Sequence, residues 1–600
     1  MLLRLQKLVV HSLFLMLFFS HAASGAIDTG GAAGAGSGAG SGDSSSEVYP
    51  PTTLIGWANY VFKNRREYTE ISIDRISKEA LEAPLIPPLA IKRAIDAYLK
   101  RCTNPDNLGN SENWHTQPEI PTIASSMPLK TRILNVLNRG ITEPATGTEK
   151  DPTTALPFVE QQAIAKNERI IFMGDLHGSV HSLLRNLLHI AEEGLLNNNF
   201  TLAPNVRLVV LGDMTDRGLY GTEVVYLLLL LKLTNWDNVT LIRGNHESMN
   251  QTDRYGFAAE LIKKYGEAES KALYATFLML CGSLPLATFF HHQGKVIQAC
   301  HGGIEPYYSP NAFLLSGKKY DFTTHNIADL NILPSSLEPF TCADGFQWSD
   351  VTGFIADNEE DDDNDGFHAY FATLNAWTKN MARGGIGYLA NQKDLDKYFQ
   401  ERSNETFQFI KIVRGHQDQE FCCKLVEPGN TEGPINWSDT SQYYAQYAHA
   451  RLPGKEMFSE ENTFQQRRLN RLRVAREGIS FATMPSCITM TTAAEGRGTR
   501  NEGFGILTID GAYEEWRYQI YQNPMGAYDQ LSRSYPSVSV IQPDGSVIGK
   551  VRGYVAADCF APEKYDLTPS HRWYMDAKSK AGVSQALAAK IIAAGTQGDE

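Results

Sequence analysis

Arg169-Ile170-Ile171-Phe172-Met173-Gly174-Asp175-Leu176-His177-Gly178 sets the pattern on which the whole chain is read. A short apolar, β-branched run stops at a glycine and at once supplies a carboxylate and an imidazole. That is the signature of a buried strand whose end delivers polar groups into a loop. The texture returns in VRLVVLGD (206–213), VTLIRGN (239–245), KVIQACHGG (295–303) and FIKIVRGHQ (409–417). Three of these ends share one design: Gly174-Asp175-Leu176-His177-Gly178, Gly212-Asp213-Met214-Thr215-Asp216-Arg217-Gly218 and Gly244-Asn245-His246-Glu247. Carboxylate and imidazole donors suit manganese, iron or zinc, and an adjacent glycine lets the loop turn sharply enough to aim them. An aspartate capping a strand or helix needs no metal to explain it, so any one segment alone is weak evidence. The ordered triple, joined by His301 and His416 at two further strand ends, is a pattern that capping does not produce.

In this order the segments resemble the phosphoprotein phosphatase family, whose members carry GDxHG, GDxxDRG, GNHE and HGG. A Trp-Ser-Asp stretch, an Arg-Gly segment and an RxHQ segment follow in that family. Here they read Trp348-Ser349-Asp350, Arg383-Gly384-Gly385 and Arg414-Gly415-His416-Gln417, so the similarity spans about residues 170–510. The resemblance implies an α/β (α+β) metallophosphoesterase fold, a four-layer sandwich of two mixed β-sheets flanked by helices, with the site at the strand ends. It implies that Asp175 and His177 hold a first divalent metal ion, that Asp213 bridges two, and that Asn245, His301 and His416 complete the second. Manganese is the expected ion in vitro, with iron or zinc as alternatives. His246 matches the general acid, oriented by Asp216; Arg217, Arg383 and Asn245 match phosphate-binding groups, and Glu247 reads as structural. The reaction implied is phosphomonoester hydrolysis by a hydroxide shared between two metals, on phosphoserine or phosphothreonine of a protein, with phosphotyrosine as a further substrate.

One departure bears on substrate choice. Family members acting on phosphoserine and phosphothreonine carry a SAPNYC-like segment whose tyrosine overhangs the site, and the corresponding residues 482–487 read Ala-Thr-Met-Pro-Ser-Cys. Two other functions stay open on the sequence: a bis(5'-nucleosyl)-tetraphosphatase or other small phosphate-ester hydrolase, and a catalytically idle metal-binding module.

Lys and Arg total 55 against 68 Asp and Glu in 600 residues, a formal charge of −13 that offers no general attraction for nucleic acid or an anionic membrane. Residues 1–26 read as a signal peptide, with Arg4 and Lys7 before an apolar run too short to span a bilayer, so the chain is expected to be exported, without a stable membrane span once the signal is removed. A Gly/Ala/Ser-rich linker covers 27–46, a mostly helical region 47–160, the catalytic domain 161–525 with an insertion at about 418–478, and a C-terminal extension 526–600. Within these, 90–101 and 129–138 read as helices, Val224–Leu233 as a buried helix, SFATMP (480–485) and GFGILTID (503–510) as strands, and VSVIQPDGSVIGKV as a hairpin turning at PDG. His291 and His292 read as a turn between strands. The acidic run 357–365 opens like a calcium loop but lacks its bidentate glutamate, and it reads as a surface loop, as the arginine-rich 467–476 reads as a solvated helix face. Eight cysteines are too few for a disulfide scaffold in a chain of this length.

Overall fold

In a computed structural model of the chain, the run Arg169–Met173 is β2, the centre of a six-stranded sheet. The structure describes residues 50–67, 86–102, 158–321, 344–351, 377–380, 383, 386–417, 423–426, 435–436, 478–484, 486–493, 501–524 and 537–556. The signal and linker segments, the expected helix at 129–138, the acidic run, the arginine-rich segment and the last residues lie outside them.

Val206–Val210 (β3) runs parallel to β2, and Val239–Leu241 (β4) runs parallel to β3. On the other side of β2, Asn501–Thr508 (β15) is antiparallel, followed by Arg517–Pro524 (β16) and Ile479–Ser480 (β13). The strand period of two divides the side chains cleanly. Ile170, Phe172, Val209, Leu211 and Ile242 belong to one apolar cluster, whereas Ile171, Met173, Leu208 and Val210 belong to another.

The first cluster is shared with a second, eight-stranded sheet, which contributes Phe290, Ile297, Ala299, Ile410, Val413 and Ile488. Its centre is Ala287–His292 (β5), Lys295–Cys300 (β6), Gln408–Arg414 (β10) and Cys487–Met490 (β14), with β10 parallel to both β6 and β14. Val159–Ala163 (β1) and Tyr320–Asp321 (β7) close one edge. Cys423–Val426 (β11) and Ile435–Asn436 (β12) close the other, so part of the expected insertion belongs to the sheet; Asp350–Val351 (β8) and Leu389–Ala390 (β9) pair in parallel as a separate two-stranded sheet.

Helices cover both outer faces, which completes four layers. Val180–Glu192 (α3), Gly221–Thr234 (α4) and Phe257–Gly282 (α6) cover the six-stranded sheet. On the eight-stranded sheet, Asn311–Ser316 (α7), Asp344–Trp348 (α8) and Gln392–Arg402 (α9) bury Phe313, Phe346, Leu395 and Tyr398 against Phe289, Phe409 and Ile412.

The N- and C-terminal additions join the first of these layers. Leu54–Asn64 (α1), capped by Thr53 whose hydroxyl accepts the Gly56 N–H at 3.1 Å, buries Leu54, Trp57, Ala58 and Val61 in the cluster that holds the leucines of α3. Pro88–Cys102 (α2) starts at a proline, whose missing N–H costs nothing at a first helical position. The expected hairpin is present as Val538–Ile541 (β17) and Val547–Val551 (β18), and Asn59 of α1 exchanges hydrogen bonds with Lys550 O and Arg552 N, both at 2.9 Å. Arg185 of α3, fully buried, ties these parts together: it donates to Glu502 of β15 at 2.6 and 2.8 Å and to Glu67 at 2.9 and 2.5 Å.

Two local expectations are corrected. His291 and His292 do not turn; they pair with Val296 and Lys295 as the end of β5, and the hairpin turns at Gln293-Gly294, both with left-handed φ (47° and 76°). SFATMP is not a strand. Among its described residues only Ser480 pairs, and Phe481–Thr483 forms a 3-10 turn that stacks Phe481 on Trp516 and Tyr518 inside the core.

Candidate metal centre

Asp175, Asp213, Asn245, His301 and His416 all follow the last residues of β2, β3, β4, β6 and β10, so the two sheets deliver their ligand-type side chains to one end of the sandwich. All are buried, as is His177. Asp213 Oδ2 is the common point, 3.4 Å from His177 Nε2, 3.2 Å from His301 Nε2 and 3.9 Å from His246 Nε2. Asp175 Oδ2 lies 3.9 Å from His177 Nε2 on one side. On the other, Asn245 Oδ1 is 2.8 Å from His301 Nε2 and 3.0 Å from His416 Nδ1. Two groups of donor atoms, His177-Asp213-His246 and Asp213-His301-His416, each fit within 4.8 Å, and Asp213 belongs to both. Clustered nitrogen and oxygen donors around one shared carboxylate fit a pair of divalent cations.

Backbone groups fix the tautomers this requires. Nδ1–H of His177 donates to Thr215 O at 3.0 Å and Nδ1–H of His301 to Leu211 O at 2.7 Å, so each ring turns Nε2 toward the cluster. His416 enters by its other edge, with Nδ1 inward and its backbone N–H donating to Asp175 Oδ1 at 3.0 Å.

The loops are strained where they carry these side chains. Of the nine non-glycine residues with left-handed φ among the described residues, five are His177, Asp213, Asp216, Arg217 and His416. Such conformations cost of order 1–3 kcal/mol each and persist where the surroundings over-determine them. One source of that constraint is Glu247. Its carboxylate accepts the backbone N–H of Asp213 and Gly244 on Oε2, at 2.8 and 2.7 Å, and of Met214 on Oε1, at 2.9 Å. Glycine is required where the loops approach: a Cβ on Gly244 would stand 2.3 Å from Asp213 Oδ1, and one on Gly415 2.3 Å from Asp175 Oδ1.

Beside the cluster, His246 Nδ1 is 2.7 Å from Asp216 Oδ2, and the other oxygen of Asp216 accepts the Phe257 N–H at 3.0 Å. Nε2 of His246 faces Arg217 Nη2 at 3.4 Å. Arg383, the second expected phosphate clamp, sits one step further out. Its Nε donates to Asp350 Oδ2 at 3.1 Å, and Asp350 Oδ1 lies 3.5 Å from His416 Nε2. The structure thus brings every expected site residue to one place, with Arg383 at its edge and bound to Asp350.

Burial and mutual charge shape the titration. Burial would raise the Asp213 carboxyl, but His301 and His246 outweigh it and hold it well below the ordinary range. The same pairing lifts His301 to about 9 against the burial that opposes it. His416 is pushed well below the ordinary imidazole value by burial and by His301, Arg414 and Arg383. Burial, reinforced by Asp213, raises Glu247 to about 7.

Sequence reading missed Tyr255. It ends Met249–Tyr255 (α5), packs its ring 4.8 Å from that of His246, and accepts the Arg217 N–H on its carbonyl at 2.9 Å. The only local signal is the helix break at Gly256, φ 116°, which gives no hint of the contact. Trp348, quoted for its motif alone, sets its ring 5.9 Å from His416.

Residues 168–419 match the family model of calcineurin-like phosphoesterases. Over this span the chain is similar to calcineurin-like phosphoesterases. The chain is 29% identical over 257 residues to the serine/threonine-protein phosphatase PP2A-like PPG1 of Candida albicans, an alignment covering 42% of this chain and 48% of that protein, about half its length. Among solved structures, it is similar to a protein serine/threonine phosphatase of Saccharomyces cerevisiae with similarity to human phosphatase PP5, at 14% identity and TM-score 0.38 over 76% of this chain and 96% of that one. It is also similar to a cold-active protein-tyrosine phosphatase of a psychrophilic Shewanella, at 17% identity and TM-score 0.25 over 45% and 71%.

Proposed function

We propose that the calcineurin-like domain is a metal-dependent phosphomonoesterase acting on phosphorylated proteins, with phosphoserine and phosphothreonine as substrates and phosphotyrosine admitted. The observation that carries the reading is the single carboxylate of Asp213 shared by two donor clusters, with the His246–Asp216 pair and Arg217 against it. Two divalent cations bound there, manganese first among them, would lower the pKa of a water and offset the charge on phosphate oxygens.

The remaining work falls to side chains. Arg217 offers a planar fork of N–H donors to the phosphoryl oxygens, and Arg383 can join it on exchanging Asp350 for phosphate. As attack by water forms the new P–O bond and the bond to the leaving oxygen breaks, that oxygen takes its proton from Nε2 of His246 and the water's proton is released to solvent. Asp216, held by the Phe257 N–H, fixes the orientation of the ring. No residue is called on as a covalent nucleophile. Export by the N-terminal apolar segment belongs to the same proposal and rests on the sequence alone.

The test is phosphate release from phosphoserine, phosphothreonine and phosphotyrosine peptides and from diadenosine tetraphosphate, with manganese, by the wild-type chain and His246→Asn. Peptide turnover that falls about 10²- to 10⁴-fold in the variant, with bound metal retained, is the expected result. Turnover confined to the dinucleotide would overturn the substrate class, and an unchanged rate in His246→Asn would remove it as the acid.

A further inference from the structure

Outside the groups that match the family motifs, the strongest unassigned feature at the mouth of the site is Arg254. Its guanidinium carbon lies 5.4 Å from the centre of the Tyr255 ring, and that of Arg217 lies 5.4 Å from the same ring. Tyr255 is in turn packed 4.8 Å from the His246 ring. One half-buried aromatic ring therefore carries two arginines and touches the candidate acid. Arg254 is exposed, and no carboxylate of the described residues pairs with it. The neighbouring Asp253 does not serve: its Oδ1 accepts the Tyr274 hydroxyl at 2.7 Å, toward α6. A solvent-facing guanidinium steadied on an aromatic ring is a preorganised anion receptor, since stacking limits the rotamer freedom a bound anion must otherwise freeze.

We infer that Arg254 is a specificity residue that binds a second anionic group of the substrate, a carboxylate or second phosphoryl group flanking the phosphorylated side chain. The inference rests on the phosphomonoesterase reading and names the substrate class for that site: phosphopeptides with acidic surroundings.

The experiment measures kcat/KM for three peptides, one with alanines flanking phosphoserine, one with aspartates, and one with a neighbouring second phosphoserine, alongside p-nitrophenyl phosphate. Exposed charge pairs support a preference of about three- to fivefold for the anionic peptides, carried by KM and fading at high salt. Arg254→Gln is expected to bring the anionic-to-neutral ratio to unity, and Arg254→Lys to restore part of it. Preference for only one of the two anionic peptides would identify which anion is bound. An equal rate on all peptides in the wild type, or a ratio that survives Arg254→Gln, overturns the inference while p-nitrophenyl phosphate turnover keeps the activity standing. Loss of all turnover, including p-nitrophenyl phosphate, would instead overturn the underlying reading and this inference with it.

Discussion

Two buried polar clusters, one on the six-stranded sheet and one where the strands of both sheets end, could hardly be built more differently. Around Arg185, one guanidinium faces two carboxylates through four hydrogen bonds, from a helix to a strand and to the segment after α1. Around Asp213, carboxylates and imidazoles crowd one another, and the backbone beneath them is repeatedly left-handed. The first cluster pairs its charged groups with one another. The second gathers donors for something outside the chain, at the cost of strain. Buried polarity with complete internal pairing speaks for architecture, whereas buried polarity with strained, convergent donors speaks for chemistry.

The sharpest way to break this contrast is Asp213→Asn. Loss of the shared carboxylate is expected to remove bound metal and lower turnover by at least about 100-fold, since even outer partners of a ligand are worth 10- to 100-fold. Metal content by mass spectrometry and rate are to be measured on the same sample; two equivalents of metal retained would refute the ligand assignment. Arg185→Met should do the reverse. Leaving Glu502 buried without its partner is expected to cost about 3–5 kcal/mol in denaturant unfolding, while metal stoichiometry and rate of the folded fraction are kept.

A smaller effect sharpens the rule at a third site. Lys411 of β10 is buried, its ammonium lies 5.7 Å from the Phe481 ring, and burial lowers its pKa from 10.5 to about 8. Between those values the folded chain binds fewer protons than the unfolded one, so stability rises as pH climbs through that window. Below pH 8 the full cost of the buried charge is carried. Lys411→Met is therefore expected to raise stability by about 2 kcal/mol at neutral pH, the gain shrinking as pH rises through the window. A gain independent of pH would mean packing, not charge, is responsible.

The legible parts of the molecule are those where a local pattern carries global information. Strand ends such as Met173-Gly174-Asp175 announce both a strand and a ligand-type side chain, so sheets and donor set could be read together. Tyr255 could not, because its contact with His246 is made by a helix end folding back, not by a repeated motif. Arg185 and Glu502 lie 317 residues apart and look like ordinary surface charges in sequence. The turn after β5 falls at Gln293-Gly294, where the glycine takes left-handed φ at no steric cost, and the two polar histidines before it still pair as strand. Phe481–Thr483 has strand composition but serves as a ring stack, tertiary packing overriding propensity.

The strand order also has a practical meaning for protein production. The matched span 168–419 stops short of β14, β15 and β16, yet β15 is the direct neighbour of β2 and β14 that of β10. A recombinant fragment cut to those limits would expose the edges of both central strands and the apolar seat of Trp57, and it is expected to collect in inclusion bodies.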